Sequence, residues 1–156
     1  ERAGKRFDGE NLRIVIVTSR FHAVVTSLLE TGAVTALREN GVNDSHIEKV
    51  EVPGSLELSL AAQVLASSGR WDAVVCLGAV IKGETAHFEH VSAQAVEGIA
   101  EVSRQTGVPV LCGVLTTYNL EQALERAKGP EDNKGYESAM GAIEMALLLR
   151  QIRSFS

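Results

Sequence analysis

The sequence predicts an α/β fold: a three-layer α/β/α sandwich on a four-stranded, mainly parallel sheet. Three observations carry this prediction. Four short runs are rich in Val and Ile, amphipathic stretches of helical period separate them, and Gly, Pro or Asn-Gly breaks mark the joins. Strands that alternate with helices favour right-handed crossovers, which lay helices on both faces of the sheet. At 156 residues with 45% hydrophobic content, the chain suits one domain with a substantial core and would be cramped as two.

Residues 1–11 are polar and read as an N-terminal arm, either a strand added to a neighbour's sheet or a disordered tail, ahead of a domain over 12–156. Leu12-Arg-Ile-Val-Ile-Val-Thr18 is β-branched and predicts the first strand. From Val25 the apolar spacing shifts to Leu28, Leu29, Gly32, Ala33, Ala36 and Leu37, a helix closed by Asn40-Gly41. Ile47-Glu-Lys-Val-Glu-Val52 is a second strand, less apolar and so nearer a sheet edge, and Pro53-Gly54 breaks the chain after it. Leu56, Leu60, Ala61, Val64 and Leu65 form the stripe of a second helix, stopped by Ser67-Ser-Gly69.

Ala73 to Val80 is a third strand, apolar throughout as a strand buried on both faces should be, and a polar loop from Lys82 to Phe88 follows it. Val91, Ala95, Ile99 and Val102 line one face of a third helix that ends near Gly107. Pro109-Val-Leu-Cys-Gly-Val-Leu-Thr116 is the fourth strand. Two helices finish the chain, about 119–127 and 133–150, the latter burying Tyr136, Met140, Ile143 and Leu147, with a turn at Lys128-Gly-Pro-Glu-Asp132 between them.

Composition narrows the function classes. A net charge of −5 with 22% charged residues leaves no basic excess to attract nucleic acid or anionic lipid. The longest apolar run, Asp72 to Ile81, is far too short to span a bilayer, and Glu1 to Phe7 holds no apolar signal core. A cytoplasmic protein is expected, an organellar location staying open should a transit segment have preceded Glu1. Cys76 and Cys112 sit in strand-like runs without metal-ligand spacing and read as reduced core thiols. Neither a phosphate-binding loop of the Gly-x-x-x-x-Gly-Lys type nor a Gly-x-Gly-x-x-Gly turn occurs, so nucleoside triphosphates and dinucleotides are not indicated.

In parallel sheets ligands bind beyond the carboxyl ends of the strands, which selects Ser19-Arg-Phe-His22, Pro53-Gly-Ser-Leu-Glu57, Lys82 to Phe88 and Thr116-Thr-Tyr-Asn119. Lys82, Glu84, Thr85 and His87 crowd the third segment, and of the four histidines His87 is best placed for proton transfer, though a helix-start residue bonded to backbone fits equally. His22 and His90 are weaker candidates and His46 has no supporting pattern; His87 and His90 make at best half a zinc site. Arg126 and Lys134 flank the turn before the last helix, either as solvated surface charges or as phosphate ligands near a helix start. Phe21 can stack on a flat heterocycle or cap the core.

Taken together and in order, Ser19-Arg-Phe21, Val52-Pro-Gly-Ser-Leu-Glu57, Leu77-Gly-Ala-Val-Ile-Lys-Gly-Glu-Thr-Ala-His-Phe88, Gly113-Val-Leu-Thr-Thr117, Glu121-Gln-Ala-Leu-Glu-Arg-Ala127 and Asn133-Lys-Gly135 resemble the lumazine synthase family over about residues 12 to 150. The resemblance implies a flavodoxin-like sheet and a transferase of riboflavin biosynthesis. The implied reaction condenses 5-amino-6-(D-ribitylamino)uracil with 3,4-dihydroxy-2-butanone 4-phosphate to 6,7-dimethyl-8-ribityllumazine, phosphate and water, with no metal or organic cofactor. By residue-wise analogy Phe21 stacks on the pyrimidine, Ser55, Leu56 and Glu57 hold its ribityl arm, Ala79, Val80 and Ile81 line the ring edge, and Cys112 stands at an aromatic wall. Gly83, Glu84 and Thr85 meet the phosphate from one side, Arg126 and Lys134 from the other, and His87 shuttles protons.

The resemblance also implies self-association as a pentamer, paired pentamers or an icosahedral shell, active sites between subunits, and riboflavin synthase as a candidate partner. Arg126 and Lys134 are eight apart, the short spacing of shell-forming members. The chain departs from the family pattern at His22, usually Asn, at Leu56 and Cys112, where aromatics are usual, and at His90, often Tyr. A flavin-binding homologue without catalysis and a purely structural shell component are the rival readings.

Overall fold

The computed structural model describes residues 6–83 and 88–155, and its main sheet runs parallel throughout in the order β2-β1-β3-β4. In chain order the elements are β1 (Ile14–Ser19), α1 (Ala23–Glu39), β2 (Ile47–Val52), α2 (Leu58–Ser67), β3 (Ala73–Ile81), α3 (Phe88–Thr106), β4 (Val110–Thr117), α4 (Leu120–Glu125), β5 (Ala127–Lys128), β6 (Asp132–Asn133) and α5 (Lys134–Arg153). β1 and β3 are central and every residue in them is buried, whereas β2 alternates towards solvent as its charged positions require of an edge strand. Ile14 and Ile16 point to the face covered by α1 and α5, Val15 and Val17 to the face covered by α2 and α3, the two-residue period that gives a sheet two cores.

Local structure differs from the sequence expectation at three places. The first strand starts two residues later than expected, although Leu12 is still fully buried. The helix expected over 119–127 stops at Glu125, and Ala127–Lys128 pairs antiparallel with Asp132–Asn133, turning the expected turn into a two-stranded hairpin. On α2 the expected stripe is split: Ala61 and Leu65 pack at the margin of the core that Leu58, Ala62 and Ala66 fill, while Leu60 and Val64, with Leu56 just before the helix, are 69%, 65% and 47% exposed. A repeat every four residues fits either face of a helix, and small alanines at 62 and 66 let α2 lie close to the sheet, which turns the large side chains outward.

Residues 6–12 fold back on the end of α1. The Arg6 and Phe7 N–H groups both donate to Asn40 Oδ1 at 2.8 Å, and the Gly9 N–H donates to the Asn40 carbonyl at 2.7 Å. Opposite them α1 and α5 cross closely. Gly135 sits there because a Cβ would overlap the Leu29 carbonyl, and backbone cannot yield as a side chain can. Among the described residues no helix is long and apolar enough to cross a membrane.

Candidate functional site

Two clefts open at the carboxyl end of the sheet, and the strand order decides what each contains. The first, of about 200 Å³ and mostly apolar, is walled by the β1–α1 turn, the β2–α2 turn and the end of β3. Parallel pairing of β1 with β2 runs to Ser19 opposite Val52, and the ladder continues as Arg20 N–H to the Val52 carbonyl (2.8 Å) and Phe21 N–H to the Pro53 carbonyl (3.2 Å). That continuation sets Phe21, 56% exposed, beside Ser55, Leu56 and Glu57 on the 3₁₀ turn that opens α2. Ala79, Val80 and Ile81 form the floor. Seven of the residues expected to bind the heterocycle and its arm therefore share one cleft, with Phe21 free to offer a face.

Gly78 makes this packing possible. A Cβ there would come within 2.7 Å of Ser55 Oγ and 3.2 Å of Ser19 Oγ, so only glycine lets the β2–α2 turn close on β3 and aim Ser55 at the cleft. The Ser19 hydroxyl is fully buried and has no hydrogen-bond partner among the described residues. Buried polar groups are seldom left so except near functional sites.

The second cleft, about 440 Å³, lies along β4, the outer edge of the sheet, and is lined by Val114 to Thr116 together with Glu125, Arg126, Glu131, Asp132, Asn133, Lys134 and Glu137. Arg126 and Lys134, eight apart in sequence, meet because the β5–β6 hairpin folds them together and the Lys134 N–H donates to the Arg126 carbonyl at 2.8 Å. Asn133 ties this corner down: its Nδ2 donates to the Ala127 carbonyl (2.8 Å) and the Leu28 carbonyl (3.1 Å), and its Oδ1 accepts the Tyr136 N–H (2.9 Å) as the N-cap of α5. Lys134 Nζ lies 3.7 Å from Glu137 Oε2, a half-exposed pair. Four carboxylates thus share the cleft with two cations.

Gly83 follows β3 with φ +96 and is exposed, whereas Glu84, Thr85 and His87 lie outside the described residues. The ends of their segment are held: the Lys82 N–H donates to the Thr117 carbonyl at 2.9 Å, and both Lys82 Nζ (5.5 Å) and the Phe88 ring (6.2 Å) approach the Tyr118 ring. Cys112 lines neither cleft, because β4 carries it opposite Cys76 in mid-strand, two residues before Val114, where the second cleft begins. Its thiol is shifted upward by burial, opposed by the Val114 N–H and the Lys134 charge; burial pushes Cys76 up further, its neighbour Cys112 adding to the shift. Both thiols are free and protonated near neutral pH, unsuited to nucleophilic attack.

Sequence reasoning named the segments that hold His22 and Gly54 but ranked His22 low, and it passed over Val91 in the first cleft and Glu137 in the second. His22 had a signal, since it follows Phe21 in the segment beyond the carboxyl end of β1; it is the one non-glycine residue with positive φ (64°) among those described, and its ring lies 4.4 Å from that of Phe21. Val91 reads as core from its helical spacing alone. His90 is exposed on α3 beside Gln94, and no three His, Cys, Asp or Glu side chains gather as a metal cluster among the described residues. The family model for 6,7-dimethyl-8-ribityllumazine synthase matches residues 11–150.

Proposed function

Because the chain belongs to the 6,7-dimethyl-8-ribityllumazine synthase family, a family of transferases in riboflavin biosynthesis, we propose that it condenses 5-amino-6-(D-ribitylamino)uracil with 3,4-dihydroxy-2-butanone 4-phosphate. The observation that carries this reading is the convergence of Phe21, Ser55 to Glu57 and Ala79 to Ile81 on one apolar cleft, with Arg126 and Lys134 held together in another. The pyrimidine stacks on Phe21, Ser55 and Glu57 bond the ribityl hydroxyls, and the backbone at Ala79 to Ile81 reads the ring edge. Arg126 and Lys134 take the phosphate, completed by Gly83, Glu84 and Thr85. His87 accepts and returns protons as the amine adds to the ketone with loss of one water, phosphate is eliminated, and the ring closes on the second carbonyl with loss of another water. Much of the acceleration comes from holding two reactants in line, where effective molarities reach roughly 10⁵–10⁸ M.

The site lies between copies of this chain. At about 200 Å³ the first cleft is smaller than the roughly 300–1,000 Å³ of complete ligand pockets, and Arg126 and Lys134 open on the far edge of the sheet. A neighbour presenting its β4 edge, with Cys112, to the ring cleft of this chain supplies what each lacks. Leu56, Leu60 and Val64, exposed on one face of α2 beside that cleft, are the apolar surface such a neighbour covers. Leu60→Asp should therefore lower the native mass and abolish activity while leaving the helical signal of the protomer intact, as light scattering and circular dichroism will show.

The decisive assay supplies both substrates to the purified protein and follows lumazine fluorescence against the uncatalysed condensation. Acceleration that saturates in both substrates supports the enzyme; no acceleration with riboflavin held tightly supports the flavin-binding rival, and particles without either support a shell. In the same assay His87→Ala should slow turnover by only about 10- to 100-fold, since proton transfer contributes roughly 10²–10⁴-fold and solvent substitutes in part. An unchanged rate would remove His87 from the mechanism.

A further inference from the structure

We propose that Glu137 is a specificity-determining residue of the anion cleft, a carboxylate that competes with bound phosphate for the Lys134 ammonium and so confines the cleft to monophosphates held loosely. The inference rests on the phosphate role given above to Arg126 and Lys134. Glu137 lies one turn beyond Lys134 on α5, with Oε2 3.7 Å from Nζ and its side chain 73% exposed. It lines the same cleft, as do Glu125, Glu131 and Asp132, so four carboxylates face two cations.

A dianion arriving at Lys134 either displaces Glu137 from the ammonium or sits beside its charge. Displacement costs little, because the pair is exposed, but the repulsion that remains weakens binding. A diphosphate would carry its second group among Glu131, Asp132 and Glu137 and meet that repulsion again. Since the proposed reaction expels inorganic phosphate, a cleft that holds phosphate loosely also empties quickly.

The test is titration of the purified protein, in its native assembly, with inorganic phosphate and with pyrophosphate. In Glu137→Gln, phosphate should bind about 2- to 5-fold tighter, the size of an exposed ion-pair effect, with a larger gain for pyrophosphate and a smaller difference at high salt. The KM for the phosphate substrate should fall with it while kcat does not rise. Glu137→Asp should return towards the parent values, and Glu144→Gln, exposed on the same helix, should match the parent. Equal or weaker phosphate binding in Glu137→Gln overturns the proposal and makes Glu137 a support for Lys134. If phosphate binds the parent chain no better than it binds Arg126→Ala, the phosphate role itself fails, whatever Glu137 does.

Discussion

Replacing Arg126 by alanine should raise the KM for the phosphate substrate by roughly 100-fold and leave that for the pyrimidine nearly unchanged. Arg126 is exposed in the second cleft, and its guanidinium forms no hydrogen bond or ion pair among the described residues. A planar fork of N–H groups matches two phosphate oxygens, and hydrogen bonds of this charged kind contribute about 1.5–3 kcal/mol each. Removing them leaves Lys134, already shared with Glu137, as the cleft's remaining cation, outnumbered by four carboxylates. Because Arg126 lines a cleft that has no lining residue in common with the cleft at Phe21, the effect should separate by substrate. Steady-state kinetics with each substrate varied in turn reads it directly, and a KM that stays put for the phosphate substrate would refute the assignment.

Asn133→Ala should cost about 3 kcal/mol of stability. The side chain is 7% exposed and spends both of its functional groups: Nδ2 on the Ala127 and Leu28 carbonyls, Oδ1 on the Tyr136 N–H. An N-cap is worth about 1 kcal/mol, and the buried partners left unpaired add roughly 1–3 kcal/mol. For a chain of this size that corresponds to a fall of about 6–12 °C in Tm, to be measured at fixed protein concentration because assembly contributes to the same transition. The hairpin that brings Arg126 to Lys134 is anchored by the same amide, so the KM for the phosphate substrate should rise in parallel. A variant with unchanged Tm would show that the α1–α5 crossing around Gly135, not Asn133, holds this corner.

Much of the fold was legible because its signals are local. The apolar, β-branched runs Ile14 to Val17 and Val74-Val75 fit strands buried on both faces, and the charged positions of Ile47 to Val52 mark an edge, which is where β2 lies. The rule that ligands gather at the carboxyl ends of parallel strands pointed to Phe21 and Ser55 to Glu57, and the family resemblance added Ala79 to Ile81, which share their cleft. Where signals were not local, reading failed. Two-residue strands such as β5 and β6 are too short to carry a period, so 127–133 read as helix end and turn. Glu137 looked like any exposed helical carboxylate, because nothing in sequence distinguishes a charge in open water from one that shares a cleft with Arg126 and Lys134.

By itself, then, the sequence determined the alternation of strands and helices, the parallel sheet with β2 at an edge, the end of that sheet where chemistry belongs, and the family. Residue period and β-branching act within a few positions, and they suffice for that. Tertiary structure alone decided that α2 turns Leu60 and Val64 outward, that the β5–β6 hairpin joins Arg126 to Lys134, that Asn133 pins the hairpin to two helices, and that the residues proposed for the ring and for the phosphate lie in separate clefts. The reason is physical: periodicity says that a helix has an apolar face, but which partner covers it, and which distant charges meet, depends on packing between segments far apart in the chain.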